Sequence, residues 1–208
     1  MLQYMQFWGE INNNLLGESG MVVTISVLFN LYIFILIARL IINIVHADYF
    51  NPACKFIYKL TQPLIALAQK VLPEKDNMHL AVIIPLFLIE IIKIYLLLLL
   101  SAGSFANIFG AFFWAFGELA RFVLDIFFYL VIIRILLSWI AISTHNSYTV
   151  LLIQVTEPIL LVARQKIPPL GGIDLSALVV LLLLKASVII IANPLLNLGI
   201  RFALGLHF

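Results

Sequence analysis

The sequence has few charged residues. Asp, Glu, Lys and Arg make up 11% of its 208 residues, whereas a typical soluble domain has about 25%. Hydrophobic residues make up 64% of the chain, so the polar residues are too few to cover a surface that faces water. This composition excludes an ordinary soluble protein and indicates an integral membrane protein.

Features that mark other functional classes are also absent from the sequence. Cys54 is the single cysteine, so no disulfide can form within the chain. The net charge is only +2 and there is no basic run, which argues against direct binding of nucleic acid. No HExxH pair, serine elbow, Cys-His pair or glycine-rich cofactor loop occurs. We therefore expect no catalytic centre, no metal site and no cofactor, and a protein that is not an enzyme.

Four apolar segments are long enough to cross a bilayer, whose hydrocarbon core of about 30 Å needs about 20 residues of helix. They cover residues 21–45, 78–101, 111–142 and 174–196. Two connectors, after the first and the third segment, have a polar stripe and an apolar stripe at helical spacing. This pattern is typical of helices that lie in the membrane interface. Pro63 and Pro158 interrupt the connectors, and we expect each proline to divide its connector into two short helices.

The two halves of the chain are related by an internal repeat with a constant offset of 95 residues (156 minus 61, for example). Corresponding residues include Arg39 and Arg134, Asn51 and Asn146, Thr61 and Thr156, Pro63 and Pro158, and Glu90 and Lys185. The sequence therefore predicts an all-α membrane protein with four transmembrane helices in two tandem span-connector-span repeats, with amphipathic interfacial helices. The predicted divisions are an interfacial tail (1–20), a diverged first repeat (21–102), a second repeat (111–197) and a C-terminal tail (198–208).

Positive charge is concentrated in the two connectors. By the positive-inside rule we expect both connectors to face the cytoplasm and both termini to face outward, in the periplasm. Each repeat contains two spans, so the repeats should share one orientation. The charges are Lys55, Lys59, Lys70 and Lys75 in the first connector, and Arg164 and Lys166 in the second. All of these except Lys75 are predicted to contact anionic lipid headgroups or a partner at the cytoplasmic face.

Three stretches of the second repeat resemble a known family. They are "RILLSWI" at 134–140, "TEP" at 156–158 and "IPPLGGIDLSALV" at 167–179, and they resemble the YggT (YlmG-like) family of bacterial and plastid membrane proteins. The first repeat keeps "NPACKFIYKLTQP" at 51–63 but has "PEKDNMH" where the family has Pro-Pro-Leu-Gly-Gly-Ile-Asp. The residues that carry the motif are Thr156, Glu157, Pro158, Pro168, Pro169, Gly171 and Gly172.

The resemblance implies a small multi-pass protein of the bacterial inner membrane with no established biochemical activity. It also implies links to osmotic tolerance, cell division, nucleoid distribution and plastid cytochrome assembly, and it carries over no catalytic residue. We therefore expect a non-enzymatic scaffold or partner protein in envelope processes. The alternative is a small channel or ion-homeostasis component. Its polar path would require a homo-oligomer, for which the spacing Gly199-xxx-Ala203 is weak support.

Two charged residues, Glu90 and Lys185, lie near the middle of predicted spans. An ionisable residue at that depth needs a partner or a function. Since a pseudo-twofold axis can bring equivalent positions together, we expect these two to form a buried ion pair. Two alternatives remain: an ion or proton site at the repeat interface, and a pair between Glu90 and Lys93 along one helix.

Arg39 and Arg134 lie near the cytoplasmic ends of the first and third spans. Either they extend to lipid phosphate, or Arg134 pairs with Asp174, which also suits a helix N-cap. His79 replaces Asp174 in the first repeat, so such a pair would exist only once.

A further polar group lies on one face of the third span. Arg121 and Asp125 are spaced to pair with each other, Glu118 shares their face, and Asn30 is the equivalent of Asp125. We expect a polar contact between helices, with the lining of a water path as the alternative.

Overall fold

The computed structural model describes residues 20–71, 79–102, 105–139, 146–166 and 175–205, which are mostly helical and contain no strand. The helices are α1 Gly20–Ile44, α2 Pro52–Val71, α3 Leu80–Ala102, α4 Ile108–Trp139, α5 Ser147–Arg164, α6 Leu175–Ser187 and α7 Asn193–Leu204. A π-helical turn, Val188–Ala192, joins α6 to α7. The all-α prediction is confirmed.

Within the described residues, four helical segments are long and apolar enough to cross a membrane: Gly20–Ile44, Leu80–Ser101, Ser147–Arg164 and Leu175–Leu204. The membrane class and the number of apolar helices agree with the sequence prediction, but the helices differ at one place. Length and low charge together select α5 instead of α4, the predicted third span, because α4 carries charged residues along its length. The 18 residues of α5 reach about 27 Å, whereas the 32 residues of α4 reach about 48 Å. Helix α4 therefore has the length of a span, and its charges need partners.

The order of span, connector and span occurs twice, as α1–α3 and as α4–α6. Pro52 and Ser147 begin α2 and α5, and Leu80 and Leu175 begin α3 and α6. Both pairs are 95 positions apart (147 minus 52, 175 minus 80), so the offset seen in the sequence also relates the starts of the helices.

The connectors begin with the same side-chain cap. Asn51 Oδ1 accepts a hydrogen bond from the N–H of Ala53 at 3.0 Å, and Asn146 Oδ1 accepts one from the N–H of Tyr148 at 3.1 Å. Each bond satisfies a backbone donor that has no partner within its helix. Asn51 Nδ2 also donates to the carbonyl oxygen of Ser147 at 2.6 Å. The N-termini of α2 and α5 are therefore side by side.

The prediction that proline divides each connector is wrong, because α2 and α5 are continuous helices with Pro63 and Pro158 inside them. Proline leaves the carbonyl four residues earlier without its N–H donor. Those carbonyls belong to Lys59 and Gln154, which are exposed residues, as both prolines are. A carbonyl on an exposed face can be hydrated, so the helix continues through the proline.

The helices of the two repeats share one apolar core. Ile33 and Leu36 of α1, both almost fully buried, pack in one cluster with Leu119 of α4 and Val155 of α5. In a second cluster, Ile94 of α3 packs with residues of α4 and α7. Helix α4 contacts α3, α5, α6 and α7, so it lies at the centre of the bundle.

The closest helix contact is between α4 and α7, and it depends on small residues. A Cβ placed on Gly110 would overlap the backbone of Ala203, and one placed on Gly199 would overlap the backbone of Trp114. At Gly117 it would lie 2.5 Å from the backbone nitrogen of Leu196. The Gly199-xxx-Ala203 spacing therefore does make a helix contact, within the chain.

The segment 198–208, predicted as a tail, continues as helix α7 to Leu204. Its buried residues Gly199, Ile200 and Ala203 pack in the bundle, and this packing explains why the helix does not end at residue 197. The π-helical turn ends at Ala192, two residues before Pro194. Proline has no N–H for the regular hydrogen bond to the residue four positions earlier, and this missing bond accounts for the π-helical turn. Residues 1–19, predicted as an interfacial tail, lie outside the described residues.

Candidate functional site

Arg134 on α4 binds the Thr-Glu-Pro segment of α5. Its Nη1 donates to Thr156 Oγ1 at 2.8 Å, and its Nη2 pairs with the carboxylate of Glu157. The other oxygen of Glu157 lies 3.3 Å from Nη1 of Arg164. Thr156 is fully buried, and 15% of the Arg134 side chain is exposed. One carboxylate thus joins two guanidinium groups and holds the connector against the span.

The predicted contact between Arg134 and Asp174 stays a prediction, because Asp174 lies outside the described residues. The rest of the motif lies outside them too: Pro168, Pro169, Gly171 and Gly172. Both terminal nitrogens of Arg134 bind groups on α5. Extension of this side chain to lipid phosphate, the other expectation, is therefore not what the structure shows.

Arg39, the equivalent of Arg134, has a different environment. It is only 4% exposed, so its side chain does not extend over the open surface of the bundle. Its guanidinium carbon lies 3.1 Å from the centroid of the Tyr58 ring. The positions of Glu157 and Arg164 are occupied in the first repeat by Gln62 and Gln69. The first repeat therefore keeps the arginine without the carboxylate that pairs with it in the second.

The predicted ion pair between Glu90 and Lys185 is wrong. Lys93 Nζ lies 2.6 Å from Glu90 Oε1, one helical turn along α3. Lys185 Nζ lies 2.7 Å from Asp125 Oδ1, on α4. Glu90 and Lys185 therefore pair with different residues, and they do not pair with each other across the repeat axis. The alternative in which Glu90 pairs with Lys93 is what the structure shows.

Lys93 is the centre of a buried polar cluster. Besides Glu90, its ammonium group contacts Asn30 Oδ1 at 3.0 Å and Glu118 Oε1 at 3.3 Å. The other oxygen of Glu118 accepts a hydrogen bond from Trp114 Nε1 at 3.0 Å. Glu90 and Lys93 are 1% and 3% exposed. The cluster thus joins α1, α3 and α4 and places two carboxyl groups around one ammonium group.

The contact between Glu90 and Lys93 is a short salt bridge within one helix. Glu90 Oε1 lies 2.6 Å from the ammonium nitrogen. Asn30 and Glu118 accept further hydrogen bonds from the same ammonium group. Trp114 is a member of the cluster that the sequence interpretation missed, although its spacing of four residues from Glu118 was a usable signal.

The equivalent position in the second repeat has a simpler and more exposed contact. Lys185 pairs with Asp125, and Asp125 Oδ2 lies 3.8 Å from Arg121 Nε. The Lys185 ammonium also lies 4.1 Å from the centroid of the Phe128 ring. The predicted pair of Arg121 and Asp125 is present. Asn30 and Asp125, at equivalent positions, each contact a lysine of another helix, as expected for a polar contact between helices.

The cations of the connectors are on exposed surface. Helix α2 buries Cys54, Thr61 and Ile65, and helix α5 buries Val155, Thr156 and Leu160. The polar faces of these two helices point away from the bundle. The exposed basic residues on them, or directly after them, are Lys55, Lys59, Lys70, Arg164 and Lys166. The amphipathic character expected of the connectors is therefore present.

Neither a metal site nor a reactive thiol is evident in the parts of the chain that the structure describes. No group of three His, Cys, Asp or Glu side chains there could hold a metal ion. Cys54 is fully buried, and burial, followed by the charge of Asp48, raises the pKa of its thiol. A cysteine of that kind is a poor nucleophile at neutral pH. An open groove of about 520 Å³ between α1 and α2 has an apolar lining that includes Phe34, Ala38 and Phe56.

A family model described as CCB3/YggT matches residues 19–100 and 113–195, which correspond to the two repeats. An uncharacterised protein of Vibrio alginolyticus, from the proC 3′ region, is 33% identical over 157 residues, covering 74% of this chain and 84% of that protein. An uncharacterised Pseudomonas aeruginosa protein is 31% identical over 172 residues, covering 82% and 87%.

The uncharacterised protein YggT of Escherichia coli K12 is 27% identical over 162 residues, covering 77% of this chain and 82% of that protein. No solved structure matches the chain. The two family matches are separated only by residues 101–112 and together cover most of the sequence. This chain belongs to the CCB3/YggT family.

Proposed function

We propose that this protein is a non-enzymatic component of the bacterial inner membrane that acts as a scaffold or partner protein in envelope processes. Such processes include osmotic stress tolerance, division and the assembly of membrane complexes. The observation that carries the proposal is the bond of 2.6 Å from Asn51 to Ser147, which sets the two connectors side by side. The names of the relatives assign no chemical activity to the family.

The joined connectors form a positively charged surface. In the described parts of the connectors, 52–71 and 146–166, Glu157 is the one acidic residue. Five exposed basic residues accompany it: Lys55, Lys59, Lys70, Arg164 and Lys166. Each cation near an anionic lipid surface contributes about 1 kcal/mol, and salt screens the effect within about 10 Å. A surface of this kind favours anionic headgroups, or an acidic partner protein, on the cytoplasmic side.

The test is a combined Lys59→Gln, Lys70→Gln and Lys166→Gln variant, expressed in a strain that lacks the family member. We expect normal insertion and abundance, because these residues are exposed, but loss of growth under osmotic shock. Arg201→Gln is the control, because it removes a cation from α7, away from the connectors. If the triple variant supports growth as well as the control does, the connectors are not a functional surface.

A second candidate function, a small channel or ion-homeostasis component, is favoured by the cluster around Lys93. Glu90, Lys93 and Glu118 carry one net negative charge when all are ionised, and two of them are almost fully buried. Ionisable residues at membrane depth commonly mark ion or proton pathways. In reconstituted vesicles this function requires an ion or proton flux that Glu90→Gln abolishes. Equal fluxes for wild type and variant would contradict the channel function.

A further inference from the structure

Three hydrogen-bond donors at one end of α1 are buried without an acceptor. Arg39 and Asn43 are 4% and 5% exposed. Arg39 Nε, Arg39 Nη1 and Asn43 Nδ2 have no hydrogen-bond partner in the part of the chain that the structure describes. The two residues are one helical turn apart, so their side chains lie on the same face of α1. All three unpartnered atoms are donors, and the complementary group is therefore an acceptor.

Tyr58 of α2 fixes the arrangement without satisfying these donors. Its ring covers the face of the Arg39 guanidinium at 3.1 Å from the centroid. The N–H bonds of a guanidinium lie in its plane, so a ring on the face leaves the edges unbound. The Tyr58 hydroxyl donates to Asn43 Oδ1 at 2.9 Å, and this bond uses the amide oxygen while the amide nitrogen keeps its donors unpartnered.

The second repeat shows what the first repeat lacks. There Arg134 binds Thr156 and the carboxylate of Glu157. The equivalent of Glu157 is Gln62, which has no charge and is exposed. A buried cation without a counter-charge is strongly destabilising. Among the residues that the structure describes, no carboxylate pairs with Arg39, so this place is open to an acceptor from outside the chain.

We propose that Arg39 and Asn43, with Tyr58 over the guanidinium, form a binding site for a phosphate-type oxyanion, supplied by a phospholipid headgroup or by free phosphate. The unpartnered Nε and Nη1 each offer an N–H bond, from different edges of the guanidinium, and the amide of Asn43 adds a further donor for such an anion. Arg39 is five residues from Ile44, the last residue of α1, which is about 7.5 Å along a helix. That depth suits a phosphate at the membrane boundary. The site does not depend on the connector surface proposed above.

The experiment measures the thermal stability of the purified full-length protein in a neutral detergent while ligand is added. One arm adds inorganic phosphate, and the other adds phosphatidylglycerol. We expect at least one of the two to raise Tm in a saturable way. A rise with phosphate alone assigns the site to a free anion, a rise with the lipid alone assigns it to a headgroup, and a rise with both assigns it to the phosphate group itself.

Two substitutions remove the site by different routes. Arg39→Met removes the cation, and we expect at least a tenfold loss of affinity, as for other truncated buried charge pairs. Gln62→Glu supplies the carboxylate that the second repeat has, so we expect a higher Tm without ligand and no further rise with it. Since Gln62→Glu keeps every residue of the site, it is informative even if Arg39→Met folds poorly.

Two controls on α2 separate a built site from general attraction to positive charge. Lys59→Gln removes one exposed cation, and Gln69→Glu adds one negative charge about two helical turns beyond Gln62. We expect both to bind with wild-type affinity within about threefold. Absence of any ligand response in wild type, or equal responses in wild type, Arg39→Met and Gln62→Glu, would overturn the proposal.

Discussion

Equivalent residues of the two repeats occupy the same positions but bind different partners. Glu90 pairs with Lys93 on its own helix, whereas Lys185 pairs with Asp125 on α4. The offset in the sequence identified the equivalence correctly. It could not identify the partners, because a salt bridge depends on how each helix is rotated and on how far a side chain reaches. A lysine three residues after a glutamate is a local partner that needs no tertiary contact at all.

This assignment predicts which residues are energetically coupled. In a double-mutant cycle, Glu90→Gln and Lys93→Met should show a coupling energy above about 1 kcal/mol, because each leaves the other buried without its charge partner. Glu90→Gln and Lys185→Met, the control cycle, should be additive within about 0.5 kcal/mol. Unfolding in detergent measures both. A larger coupling energy in the control cycle would instead support an ion pair between Glu90 and Lys185.

Tyr58 is a residue of the candidate site that could not be identified from the sequence. It contacts both Arg39 and Asn43, and its equivalent in the second repeat is Ile153. Comparison of the repeats therefore gives it no role, and helical spacing gives none either, since it lies on the next helix. Contacts between helices of this kind follow from packing, which periodicity alone does not determine.

The helices were predictable because their apolar length and their caps are local features. The starts of the predicted second and fourth spans, 78 and 174, lie within two residues of those of α3 and α6. The effect of proline was not predictable in the same way. Whether Pro63 or Pro158 divides a helix depends on whether the carbonyl that loses its donor can bind another donor. That in turn depends on whether the carbonyl lies on the buried or the exposed side of the helix.

The two caps differ in a way that stability measurements can detect. Replacing a helix cap of this kind by alanine costs about 1 kcal/mol. Asn51→Ala should cost more than Asn146→Ala, because Asn51 also donates to Ser147 at 2.6 Å, a bond worth about 0.5–1.5 kcal/mol. The two variants serve as controls for each other. Equal losses of Tm would mean that the bond between the connectors contributes nothing to stability.

The contact between α4 and α7 predicts a strong difference between two glycines. Gly199→Ala should destabilise the protein by about 1–3 kcal/mol, because the new methyl group must push the backbone of Trp114 away. Gly20→Ala is the matched control, since nothing lies within 4 Å of the added atom there, and its effect should be within about 0.5 kcal/mol. The midpoint of thermal unfolding reports both, and a tolerated Gly199→Ala would contradict the close approach of these helices.

The two repeats form one bundle, and their helices contribute to shared hydrophobic clusters. Residues of α1 and α4 share a cluster, and Lys93 of α3 contacts Asn30 of α1 and Glu118 of α4. The repeat pattern predicted the number and order of the helices. It did not predict that the central helix would be α4, because that depends on small residues at Gly110, Gly117 and Gly199 whose contacts are long-range.

The arrangement of the repeats predicts the orientation of the whole protein. With two spans in each repeat, we expect both connectors to lie on the same side of the membrane, and their positive charge predicts that this side is the cytoplasm. In a Cys54→Ala background, Lys59→Cys and Lys166→Cys should both resist an impermeant maleimide added to intact cells. Both should react after the membrane is opened, because both positions are exposed.

A third cysteine completes the orientation test. Phe105→Cys, in the segment between α3 and α4, is 72% exposed and should react from outside in intact cells. Labelling of Lys59→Cys and Lys166→Cys from opposite sides would contradict two repeats of the same orientation. Labelling of both from outside, with Phe105→Cys protected, would invert the protein and place its connector cations in the periplasm, where the positive-inside rule does not put them.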